Sequence, residues 1–70
     1  LDAQHGSRVV NTPLRQLSLP RGAIIGAILH EDQVIVPRGD DRVMEGDTVV
    51  VLTTMAARAT VERLFRPGLL

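Results

Sequence analysis

The sequence predicts a two-layer α+β fold, in which a mixed, mainly antiparallel sheet of about four strands carries one C-terminal helix on one face. Three observations carry that prediction. Val and Ile dominate the runs Ala23–Leu29, Val34–Val36 and Thr48–Thr53, and these residue types suit a pleated surface. Each break between runs holds Gly, Pro, Asp or Glu, which favour chain reversal. Ala57, Val61, Leu64 and Phe65 then recur at i, i+4, i+7 and i+8, which is one helical face.

The first strand is expected at Arg8–Asn11, closed by Pro13, which has no N–H for a ladder and biases Thr12 away from helical geometry. Leu14, Leu17 and Leu19 fit one loose helical turn running into an extended Leu-Pro, a connector with buried leucines. Pro20-Arg21-Gly22 reads as a turn. Ala23–Leu29 contains no polar side chain, so both faces of that strand are expected to be covered. Glu31-Asp32-Gln33 forms a hairpin tip, Val34–Val36 returns antiparallel, and Pro37 ends the pairing. Arg38–Arg42 is a solvated loop, Val43 anchors it to the core, and Met44–Asp47 is a second turn before the last strand, Thr48–Thr53. A helix is expected over Thr54–Arg66, with the Thr54 hydroxyl at its start, Glu62 pairing with Arg66, and Pro67-Gly68 as its stop.

Composition limits the rest. A chain of 70 residues makes one small domain with a marginal core, and without cysteine neither disulfides nor a Cys-based metal site supplement it. Eight basic residues, all arginine, balance eight acidic ones, so no net field draws the chain onto nucleic acid or anionic lipid. The apolar run Gly22–Leu29 is far shorter than the ~20 residues of a membrane-spanning helix, and no signal-peptide pattern opens the chain. Residues 1–7 suit a linker remnant, residues 8–67 the domain, and residues 68–70 a short tail, the whole reading as a C-terminal domain excised from a longer protein with a cytoplasmic setting.

Candidate chemistry is sparse. Asp40, Asp41, Glu45 and Asp47 resemble a cation cluster only in composition, since each lies at a predicted turn where short acidic side chains cap backbone N–H groups. His5 and His30 lack the paired spacing that turns two imidazoles toward one metal. Ser7 and Ser18 have no adjacent base or glycine elbow, and Gly22, Gly26, Gly39 and Gly46 match no phosphate-binding spacing. No residue is therefore assigned a catalytic, cofactor-binding or metal-binding role, and an enzyme is not expected.

Coverage points elsewhere. On simple alternation Ile24, Gly26 and Ile28 face one way, with Gly26 leaving room for the helix, while Ile25, Ala27 and Leu29 face the other. One helix covers one set only, so Ile25, Ala27 and Leu29 are expected at a homodimer interface, unless the Leu14–Leu19 connector folds over them.

The ordered set Leu19-Pro20-x-Gly22-x-Ile24-Ile25-Gly26-Ala27-Ile28, Val34, Glu45-Gly46-Asp47 and Val61-Glu62-Arg63-Leu64-Phe65 resembles the TrkA C-terminal domain, also called RCK-C, over roughly Arg8–Pro67. Its start and end look most like the last such domain of bacterial TrkA-type potassium-uptake regulators. That resemblance implies a non-catalytic regulatory domain of a cytosolic subunit, held at the inner face of the membrane through a potassium transporter subunit. It also implies that NAD(H) or ATP binds a separate Rossmann domain, so no nucleotide role falls on these residues. Some similar domains bind cyclic di-AMP between two subunits, but the short Leu19-Pro20-Arg21-Gly22 turn departs from their longer polar segment, and the small-molecule effector is left open. The alternative, a small swapped-hairpin DNA-binding domain, shares the Leu-Pro-x-Gly and short-strand features but needs arginines gathered on one face, whereas these are dispersed among equal acids.

Overall fold

The computed structural model describes residues 1–67 of the chain, so the expected tail at 68–70 and the Gly68 half of the helix stop lie outside the described residues. Strands β1 (Ala23–His30), β2 (Gln33–Ile35) and β3 (Thr48–Thr53) precede helix α1 (Arg58–Phe65), and a 3-10 turn at Leu14–Gln16 comes before them. The sheet order is β2-β1-β3, with both pairings antiparallel. The two-layer α+β arrangement is as the sequence predicts, but the sheet has three strands rather than four. Arg8–Asn11 forms only one parallel bridge, Val10 to Val43, because Gly6 at φ 81 and Asn11 at φ 58 turn the chain on either side of it. The expected parallel component of a mixed sheet is reduced to that bridge.

Gly26 marks a break in register on β1 between Ile25 and Ala27. An added residue on one strand of a pair resets which face the following side chains take. Ile25 pairs with Val51 and Ile28 with Val49, so both isoleucines point to the inner face although they are three residues apart. Ile28 is fully buried with Val49, whereas Ile24 is 60% exposed. Gly26 does not serve close packing, since a Cβ there would meet its nearest atom at an ordinary 3.7 Å.

The inner face meets a second layer made of α1 and the loops. Ala57, Val61, Leu64 and Phe65, the predicted helical stripe, are all buried, together with Ala3, Val9, Ala23 and Val43. Val43 thus anchors its loop as expected. Leu14, Leu17 and Leu19 pack against this same cluster, so the connector lies with the core rather than over the outer face. Helix α1 begins four residues later than expected: the Thr54 hydroxyl accepts the Ala57 N–H at 3.2 Å and closes a turn first. On its exposed side Arg58 and Arg66 both reach Glu62, at 2.9 and 3.7 Å.

Residues 1–7, expected as a linker, run along the outer edge of β3. Val49 and Leu1 exchange backbone hydrogen bonds, the Leu1 amino group donating to the Val49 carbonyl at 2.8 Å, and Ala3 is buried. Ser7 is buried at a bridge to Pro67 that joins this segment to the end of α1. The polarity of the segment hides the pairing of Leu1 and Ala3, because it rests on backbone hydrogen bonds that use no side-chain signal.

Candidate functional site

The outer face of the sheet carries adjoining apolar side chains that nothing covers among the described residues. Ile24 pairs with Leu52, Ala27 with Val50, and Leu29 lies between Thr48 and Val34. Strict alternation on β3 puts Thr48, Val50 and Leu52 opposite Val49 and Val51, and the bulge on β1 brings Ile24, Ala27 and Leu29 to the same side. Leu52 and Val34 are 59% and 69% exposed, Val50 and Leu29 less so, and together with Ile24 they form one apolar surface. Val36, just beyond β2, is exposed as well. An apolar patch of adjoining strand residues marks an interaction surface more often than scattered exposed residues do.

The expected interface set is therefore split. Ala27 and Leu29 lie on the outer face, but Ile25 turns inward against the core, and Ile24 takes its place outside. Alternation from a single reference residue fails past Gly26, and with every side chain apolar the sequence has no polarity contrast to reveal the slip. A glycine inside a strand is the one available signal, and it permits a bulge. Val34, Val50 and Leu52 follow once the strand pairing is known.

Of the four predicted turn acids, Asp41 and Asp47 act on the backbone as expected, whereas Asp40 and Glu45 pair with side chains instead. Asp41 accepts the Arg38 N–H at 2.8 Å, and Asp47 accepts the Met44 N–H at 2.9 Å, the same three-residue device used twice. Asp40 pairs with Arg15, and Glu45 with His5 at 2.7 Å. His30 and His5 do not share a carboxylate: the Nδ1 of His30 lies 2.5 Å from Asp47 Oδ1. Among the described residues no group of three or more His, Cys, Asp or Glu is placed to hold a metal ion.

A cleft of about 400 Å³ lies between the outer edge of β3 and α1, lined among others by Val51, Thr53, Arg58, Val61 and Glu62. Its polar groups are engaged with one another, with the backbone or, for the Thr48 hydroxyl, with the Asp2 carboxylate. Arg58 holds Glu62, the Thr53 hydroxyl donates to the Thr54 carbonyl at 3.0 Å, and no histidine lines it to activate a hydroxyl. Among the described residues no helix is long and apolar enough to cross a membrane.

Residues 2–66 match the TrkA-C domain family. The chain is 40% identical over 60 residues to the Trk system potassium uptake protein TrkA homolog 2 of Methanosarcina mazei, covering 86% of this chain and 13% of that protein. It is 37% identical over 63 residues to the Trk system potassium uptake protein TrkA of Haemophilus influenzae, covering 89% of this chain and 14% of that one. The chain thus spans about one seventh of the length of these relatives. A solved structure of an RCK domain with cda superposes with a TM-score of 0.81 at 20% identity, covering 94% of this chain and 93% of that one, which establishes a shared fold.

Proposed function

The chain belongs to the TrkA-C domain family, and from that premise we propose that it is a non-catalytic regulatory and dimerisation domain of a cytosolic subunit that controls a potassium uptake transporter. The relatives supply the transport setting, since those it matches are Trk system potassium uptake proteins. The observation that supports the dimer is the outer sheet face, where Ile24, Leu29, Val34, Val50 and Leu52 stand together in solvent while the connector leucines are spent on the core.

Two copies meeting on this face bury those side chains against one another, and a two-fold arrangement is the commonest closed solution. Ala27, between Ile24 and Leu29, lets the facing sheets approach. In the parent protein such a contact ties two regulatory subunits together, so a change of state in one is felt by the other. NAD(H) or ATP is assigned to a separate Rossmann domain, and the parent protein sits at the inner membrane face through its transporter subunit. DNA binding is not favoured: Arg15, Arg58 and Arg66 are paired with carboxylates rather than gathered for phosphates.

The test is potassium uptake in cells whose own regulatory subunit is replaced by the full-length parent protein. Ile24→Lys with Leu52→Lys is expected to abolish support of uptake at unchanged protein level. Uptake at the unsubstituted level contradicts the role of the face, and uptake indifferent to the whole parent protein contradicts the transporter assignment.

A further inference from the structure

The hairpin end of the sheet holds a second concentration of chemistry, away from the outer face. Asp47 is only 3% exposed, and four contacts converge on it. Its Oδ2 accepts the Met44 N–H, its own N–H donates to the Met44 carbonyl at 3.0 Å, its carbonyl accepts the Ala3 N–H at 2.8 Å, and its Oδ1 meets the Nδ1 of His30 at 2.5 Å. One residue thereby joins the 44–47 turn, the N-terminal segment and the end of β1. A carboxylate withdrawn from water in this way needs hydrogen bonds and an opposite charge to offset its lost hydration. His30 is the one ionisable cation in contact with it among the described residues.

The second imidazole nitrogen faces the next turn. His30 Nε2 lies 3.9 Å from Glu31 Oε1, and Glu31 holds a left-handed φ of 55 where the chain reverses into β2. A protonated ring therefore attracts a carboxylate on each side. A neutral ring with its proton on Nδ1 keeps the bond to Asp47 but offers no charge to either. We propose that His30 and Asp47 form a proton-sensitive clasp, which fastens the hairpin end of β1 to the turn before β3 when the imidazole is protonated and loosens when it is neutral.

Other charges near the clasp belong to the same corner of the molecule. Asp2 accepts the Thr48 hydroxyl at 3.1 Å beside Asp47, and Glu45, on the same turn, is held by His5. The hydrogen bond to Asp47 and then its charge raise the His30 pKa above the ordinary 6.5, with desolvation opposing and Glu31 adding to the rise. The sign follows from linkage. A group whose folded pKa is raised contributes stability that is fully present below its unfolded value, here 6.5, and is lost as pH climbs through the folded value.

The experiment follows the His30 imidazole by NMR in the intact chain between about pH 5.5 and 9, with hydrogen exchange at the Met44 and Asp47 amides read in parallel. The His30 midpoint is expected above 6.5, and protection of both amides, corrected for intrinsic exchange, is expected to fall as that midpoint is passed. His5→Gln should leave this response in place, and His30→Gln should remove it. A midpoint at or below 6.5 in the unsubstituted chain overturns the clasp, as does an unchanged response in His30→Gln. The first readout needs no variant to fold.

Discussion

Truncating Ile28 and Ile24 to alanine, one at a time, tests the bulge that decides which face is which. Simple alternation puts both side chains on one face and predicts similar costs. In the structure Ile28 is fully buried between β2 and β3, while Ile24 is 60% exposed. Ile→Ala deletes three carbon groups, worth about 2.4 kcal/mol of transfer free energy at about 0.8 each, and the cavity left at a fully enclosed site brings the cost for Ile28 to about 3–4 kcal/mol. At Ile24 only the covered fraction counts and no closed cavity forms, so the cost falls to about 1 kcal/mol. Urea denaturation followed by circular dichroism measures both through the transition midpoint at constant slope. If the outer face is paired, the Ile24 loss grows with protein concentration and the Ile28 loss in the monomer does not. Equal losses in dilute solution, or a greater loss at Ile24, refute the bulged register.

Phe65→Ala removes the only aromatic side chain from the junction of α1 and the sheet and is expected to cost about 3–5 kcal/mol, read by the same denaturation. For a chain this short that approaches the whole stability, so a loss below about 1 kcal/mol shows the helix is held elsewhere. Gly22→Ala is expected to destabilise by about 2 kcal/mol or more, because φ is +93 and a Cβ meets Thr54 Oγ1 at 2.8 Å. Rotating Thr54 away breaks its bond to the Ala57 N–H, so faster exchange at that amide should accompany the loss. Asp47→Ala leaves the Met44 N–H without its side-chain acceptor and is expected to cost about 2 kcal/mol by thermal melting, against a few tenths for Asp32→Ala on the exposed hairpin tip.

Local chemistry in the sequence was sufficient for the elements whose signals repeat or contrast. The 57–61–64–65 stripe has polar residues between its members, and that contrast locates the buried face without knowledge of the partner layer. Turns at 20–22 and 44–47 are set by Pro, Gly and Asp acting within three residues, and both form. Three features depend on distant pairing and leave no such trace. The bulge at Gly26 lies in a run with no polar side chain to betray its phase. Val10 meets Val43 through a single bridge, so a strand-like composition at Arg8–Asn11 does not become a strand. His30 and Asp47 are 17 residues apart, and their contact depends on β1 and β3 being in register at Leu29 and Thr48. Of the three residues expected to share a face, Ala27 and Leu29 do point outward and Ile25 does not, while Ile24 is placed outward only by the register.

Sedimentation equilibrium at micromolar concentration decides whether the outer sheet face joins two copies of the chain. A mass of twice 7.6 kDa is expected for the unsubstituted chain, falling to the single-chain mass when Ile24 and Leu52 are both replaced by lysine and unaffected by lysine at exposed Arg63 on the opposite layer. A single-chain mass for the unsubstituted protein, or a dimer that survives both lysines, contradicts it.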